Sequence, residues 1–247
     1  MLIDNALFPR FAPLISALPE RRFYARADLL SPTFRLHQDG NLEIYYVPLE
    51  YLNERARIAF IGITPGWSQL EIAYRAARAG LTRGLTPSEI TLFVDQQASF
   101  AGPICSTLCD MLDRLEIPAL LGIQSGLDLF GAANDLLHTT ALVRYSVFVK
   151  GQNYTGHNPN LLKTPNLRRY VEDSLSGELR RMPQALVVPM GTAVADALRL
   201  LIDAGQLDPA RCLLGFPHPS GANMHRAGQF AGVQHKLKAI ARQWLAR

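Results

Sequence analysis

The sequence predicts an α/β fold: a three-layer α/β/α sandwich around a central, mainly parallel four-stranded sheet. Two observations predict it. Short apolar runs rich in β-branched residues alternate along the chain with segments of helical period, and that alternation implies parallel strands with helices on both faces. The chain is also long enough, at 247 residues, to bury a full core as one domain. The expected organisation is a single domain over 1–247, with residues 1–50 as an N-terminal extension packed on it and covering a sheet edge.

The elements follow in order. Arg-Ile-Ala-Phe-Ile-Gly-Ile (57–63) is an apolar run closed by Thr-Pro-Gly and reads as the first buried strand. Residues 103–116 place Ile104, Leu108, Met111, Leu112 and Leu115 at helical spacing, between a starting Pro103 and a terminating Pro118. Residues 139–148 read as a second strand, and 165–182 as a helix with a polar face. A third strand is expected over 185–191, followed by a helix over 192–205 with Gly205 at its C-cap. Residues 211–221 form a fourth strand running into a loop. A helix with a basic face closes the chain.

Composition excludes several classes. With 48% hydrophobic and 19% charged residues, the chain is too apolar to be disordered as a whole. No run approaches the length of a bilayer span, and Asp4 in a start without a basic segment does not read as a signal peptide. Three cysteines, Cys105, Cys109 and Cys212, make neither a disulfide framework nor a zinc knuckle, so a cytoplasmic compartment is expected. The spacing of Cys105 and Cys109 reads as two small buried apolar side chains one helical turn apart. His218, His225 and His235 match no metal-ligand spacing, and no metal or other cofactor is expected.

Charge is unevenly distributed. Residues 1–138 carry 11 basic and 15 acidic side chains, and residues 139–247 carry 14 and 6, for a net charge of +4. The basic second half suggests an anionic partner, of which nucleic acid is one candidate and a phosphorylated small molecule another; a solvated basic face is the alternative. For nucleic acid, residues 139–181 and 205–247 would form a basic groove.

Ligands of open α/β sheets bind beyond the carboxyl ends of the strands. Three loops there are unusual: Gly62 to Trp67, Lys150 to Pro159, and Phe216 to Asn223, expected on one rim. Gly62-Ile63-Thr64-Pro65-Gly66 is a tight turn that lets a ligand approach the main chain, although a plain strand-ending turn fits it too. It lacks the ending of a phosphate-binding P-loop. In Phe216-Pro217-His218-Pro219-Ser220-Gly221, two prolines restrain a histidine able to donate a hydrogen bond to developing negative charge, or simply to its own loop. Ser220 and the backbone at Gly221 could grip a phosphate.

These segments, with Phe100-Ala101-Gly102-Pro103 and Met190-Gly191-Thr192-Ala193, resemble in order the motifs of the uracil-DNA glycosylase superfamily over residues 57–240. The resemblance implies a monofunctional DNA glycosylase that flips uracil or another deaminated base out of single- or double-stranded DNA and hydrolyses its N-glycosidic bond. It implies that Phe100 stacks on the base, within a pocket of Gly62, Ile63, Pro65 and Gly66. His218 would hydrogen-bond the base oxygen as charge develops. Ser220, Gly221, Asn223, Met224 and Arg226 would contact DNA, with Met224 as an apolar wedge in the vacated stack. Two positions depart from the pattern. Thr64 stands where the family usually has Asp, Asn or Glu; a threonine is no general base but can orient a water. Thr140, in a stretch ambiguous by one residue, stands where an asparagine usually reads the pyrimidine edge, and Asn153 is a substitute donor and acceptor. The family's iron–sulfur branches need four cysteines, so no cluster is implied. The expected protein is a monomer with DNA as its partner and no membrane; a nucleic-acid- or nucleobase-binding member without catalysis is the alternative.

Overall fold

The alternation of strand and helix runs is borne out as an α/β fold, with its strands divided between two sheets. The computed structural model describes residues 1–99 and 103–245. In chain order the elements are α1 (Phe8–Ser16), α2 (Arg26–Leu29), β1 (Arg35–Asp39), β2 (Leu42–Tyr45) and β3 (Ile58–Gly62). Then come α3 (Trp67–Thr82), α4 (Pro87–Ala98), α5 (Pro103–Arg114), α6 (Ile117–Leu121), β4 (Leu137–Ala141), β5 (Ser146–Val149) and β6 (Gln152–Asn153). The last are α7 (Pro165–Arg169), α8 (Ser176–Arg181), β7 (Leu186–Pro189), α9 (Thr192–Asp203) and α10 (Arg226–Leu245). A wide helical turn, Tyr170–Leu175, joins α7 to α8, so the helix expected over 165–182 is continuous but not uniform.

By their internal contacts the described residues fall into two units, one of 1–52, 64–99 and 143–158, the other of 53–63, 103–142 and 159–245. The first unit carries an antiparallel sheet in the order β1-β2-β5-β6. Residues 1–50 provide two of its strands and much of its core: Phe8, Phe11, Ile15, Tyr24, Leu29 and Phe34 are buried. Phe11 stacks on Tyr46 with ring centroids 4.1 Å apart, and Phe34 meets Tyr74 edge-on at 4.9 Å. The polar centre of this unit is Glu50, 0% exposed. Its carboxylate accepts the backbone N–H groups of Leu7 (2.9 Å) and Phe8 (2.8 Å) at the start of α1, and the hydroxyls of Tyr46 (3.3 Å) and Tyr145 (2.6 Å). A buried anion is tolerable there because four donors and the positive end of a helix surround it.

The second unit carries a parallel sheet in the order β4-β3-β7. β3 lies in the middle, with Ile61 opposite Thr140 on one side and Pro189 on the other. Its alternate residues Ile58 and Phe60 join Leu186 and Val188 in a core completed by Leu108, Met111 and Leu112 of α5, by Leu115 just after it, and by Phe230, Leu237 and Trp244 of α10.

Two expectations are corrected. The fourth parallel strand shrinks to one bridge, Val187 to Cys212. After Leu213 N–H bonds Val187 O at 2.9 Å, the chain turns: Phe216 N–H bonds Leu213 O at 3.1 Å, and Gly215 has φ +103°. The run 139–148 is not one strand either. It ends as β4 at Ala141 and resumes as β5 at Ser146, in the other sheet and the other unit. The loop Lys150 to Pro159 therefore follows an antiparallel strand rather than the parallel sheet. In contrast, α9 ends as expected. Gly205 has φ +68°, and Gly205 and Gln206 donate back to Ile202 and Leu201 (2.9 and 2.8 Å).

Candidate active site

In the second unit, the carboxyl ends of the parallel strands bring together Gly62, Thr140, Met190, Gly191 and the His218 loop. Met190 N–H bonds Ile61 O at 3.0 Å, and Gly191 N–H bonds Phe216 O at 3.1 Å, which ties the turn after β7 to both neighbours. A Cβ added at Gly62 would lie 3.7 Å from both Met190 Cε and Thr140 O. Gly191 has φ +92°, and a Cβ there would lie 3.2 Å from His218 Cβ. Only glycine allows both that backbone conformation and so close a histidine. Ile63, partly exposed, is the last residue of this unit before Thr64.

His218 has a defined tautomer. Ser220 N–H donates to its Nδ1 at 3.1 Å. A backbone amide can only donate, so Nδ1 is unprotonated and the proton of the neutral ring sits on Nε2. Burial pushes the imidazole below its ordinary value, which favours that neutral form. The ring is thus a neutral Nε2–H donor, the form that stabilises an oxyanion without giving up a full proton.

The loop beyond it is braced from within. Asn223 Nδ2 bonds His218 O (3.3 Å) and Gln229 Oε1 (2.9 Å), and Asn223 N–H bonds Ser220 O (3.1 Å). Arg226 bonds Ser220 O at 2.6 Å and Pro219 O at 3.3 Å, so its guanidinium holds the loop carbonyls. Nothing lies near the Cα substituent position of Gly221, and Met224 is 88% exposed. That exposure, on a loop whose carbonyls an arginine clamps, presents an apolar side chain to solvent.

Thr140 is a second unusual group. Its Oγ1 is buried with no hydrogen-bond partner among the described residues. An unpaired buried hydroxyl costs about 1–3 kcal/mol, and native folds rarely keep one without cause.

The remaining predicted residues belong to the first unit. Thr64 Oγ1 donates to Tyr145 O at 2.7 Å and accepts Val147 N–H at 3.0 Å. Its only proton is therefore engaged, and what is left is one lone pair able to accept from a water. Pro65 is buried, and Gly66 precedes α3, its N–H bonding Gln69 Oε1 at 3.3 Å. Asn153 Oδ1 accepts Trp67 N–H at 3.0 Å, so this asparagine caps α3. Phe100, with Ala101 and Gly102, lies outside the described residues.

Sequence reasoning passed over Arg26 and Phe23 in this unit. Their signal was the interleaved run Arg21-Arg22-Phe23-Tyr24-Ala25-Arg26. Conversely, much of the basic excess of the second half is bound internally. Lys238 and Arg242 (2.7 Å) pair with Glu116, and Arg168 with Glu172 (2.8 Å). Arg181 pairs with Glu54 (2.6 Å), and buried Arg211 donates to the carbonyls of Leu179, Met182 and Ala185.

Cys105 is partly exposed and Cys109 buried, with Sγ atoms 3.9 Å apart. Burial pushes the Cys109 and Cys212 thiols up to about 12, which leaves both unreactive. Among the described residues no three His, Cys, Asp or Glu side chains gather as around a metal, and no helix is long and apolar enough to cross a membrane.

Over 248 aligned residues the chain is 38% identical to the uncharacterized protein YoxB of Bacillus subtilis (strain 168), covering 100% of this chain and 96% of that protein. No family model matches the chain.

Proposed function

The chain belongs to the family of that Bacillus subtilis protein, and we propose that it is a monofunctional DNA glycosylase that excises uracil or another deaminated base. The observation that carries the reading is His218: a half-buried imidazole, kept neutral by burial, with its proton fixed on Nε2 by the Ser220 amide. Such a donor suits a leaving base whose carbonyl oxygen gains negative charge as the C–N bond breaks. Water supplies the hydroxyl to the sugar carbon, and its second proton ends on the departing base.

Other residues support the same reading. Thr140 Oγ1 is an unsatisfied polar group at the end of β4, suited to a base edge. Met224 is suited to fill the space a flipped base leaves, and the partly exposed Ser220 hydroxyl to a phosphate. Phe100 keeps its assigned role of stacking on the base. For the finer fold we propose three layers, with helices on both faces of the three-stranded parallel sheet and the Val187–Cys212 bridge beside β7 in place of a full fourth strand. The proposed setting is base-excision repair by a cytoplasmic monomer acting on DNA.

Thr64 favours a second reading. Its hydroxyl proton goes to Tyr145 O, so it can hold a water only through a lone pair, and a member that binds bases without cleaving them is the alternative. One assay separates the two. Labelled oligonucleotides carrying uracil, hypoxanthine or xanthine are incubated with the protein and then treated with alkali to break abasic sites. The proposal expects cleavage with at least one base, reduced about a hundredfold or more in His218→Ala. No cleavage with any of the three, at enzyme excess, sides with the binding member.

A further inference from the structure

We propose that the first unit carries a track for single-stranded DNA, built by residues 18–26 along one side of α3. Trp67, Glu71, Arg75 and Arg78 recur at the spacing of one helical face. The N-terminal segment runs beside them in the opposite direction. The Arg26 guanidinium lies 5.1 Å from the Trp67 ring, Tyr24 N–H bonds Glu71 Oε1 at 3.0 Å, Arg75 lies 5.4 Å from the Phe23 ring, and Arg78 Nε bonds Leu18 O at 2.8 Å.

Two positions on this track pair an aromatic ring with guanidinium groups. At one end Arg26 also lies 5.6 Å from the Phe148 ring and donates to Gly151 O at 2.6 Å, at a hairpin tip that carries exposed Lys150. Neither Arg26 nor Lys150 has a carboxylate partner among the described residues. At the other end Phe23, 64% exposed, has Arg22 and Arg75 each 5.4 Å from its ring. Trp67 and Arg75 are eight residues apart, about 12 Å along the helix, which is the reach of a few nucleotides.

Five arginines (21, 22, 26, 75 and 78) face three carboxylates (Glu20, Asp28 and Glu71), so the track is positive. The exposed Phe23 ring, the partly exposed Trp67 ring and the guanidinium planes can stack on any base, while arginines hold phosphates; the combination is sequence-tolerant single-strand binding. The partner's class rests on the proposed action on DNA, but the chemistry of the track is read from its own residues.

Trp67 supplies the readout, since the other tryptophan, Trp244, is buried. Undamaged oligothymidylate is titrated into the full chain, and tryptophan fluorescence is followed. The expected result is saturable quenching that Trp67→Phe abolishes. Phe23→Ala, a change at an exposed ring, should weaken binding about tenfold, and Arg26→Ala should lower the slope of log Kd against log salt by about one. Absence of quenching overturns the track whatever the cleavage assay shows. Quenching without excision of any damaged base leaves the track standing and removes the glycosylase reading. Quenching by an oligoglutamate but not by oligothymidylate would assign the surface to an acidic peptide and overturn the inference.

Discussion

His218 shows what a sequence conveys about one residue and what it does not. The flanking prolines predicted a restrained histidine. The ring's protonation came only from the structure, because it depends on where the Ser220 amide points. That protonation has a pH consequence. Burial lowers the imidazole's affinity for protons, so the neutral donor persists as pH falls through the ordinary histidine value of about 6.5. Excision should hold level through that point and decline only at lower pH. A single-turnover pH profile checks this, and a midpoint at or above the ordinary value would contradict it. Thr64 is the reverse case. Its place in a turn was legible, but its double engagement with Tyr145 and Val147 was not, since those partners lie about eighty positions away in the chain.

Strands buried by their own composition are legible in the sequence, as β3 and β7 show, because a continuous apolar run has no other stable place. The run 139–148 reads as one strand because nothing local breaks it. No glycine or proline lies between Ala141 and Ser146. The interruption is tertiary: Arg144 donates to Leu49 O at 2.6 Å, and the Tyr145 hydroxyl donates a hydrogen bond to Glu50 at 2.6 Å. The fourth strand failed for the opposite reason, since Gly215 carried a turn signal inside an apolar stretch. Glu50 joins α1, Tyr46 and Tyr145, and through Tyr145 O it bears on Thr64. Replacing Glu50 by Gln puts an amide N–H₂ against donors and removes the charge they solvate. The expected loss of stability is about 3 kcal/mol, seen as a lower urea midpoint. An unchanged midpoint would show that the network does not hold the unit together.

For the whole molecule, the ordered motifs after the strands conveyed more of the candidate site than charge did. Gly62, Thr140, Gly191 and His218 meet at the ends of parallel strands, where the rule for α/β sheets put them. The net positive second half conveyed less, because ion pairs and Arg211's carbonyl contacts absorb many of its cations. The arginine–aromatic track lies instead in the acidic half, where a summed charge hides it. The proposed reaction is hydrolysis of an N-glycosidic bond, and heavy-oxygen water tests it most directly. Excision from a uracil-, hypoxanthine- or xanthine-containing oligonucleotide in that solvent should release the free base unlabelled and leave one heavy oxygen on the abasic sugar. Failure to release any free base, or label carried on the base itself, would contradict it.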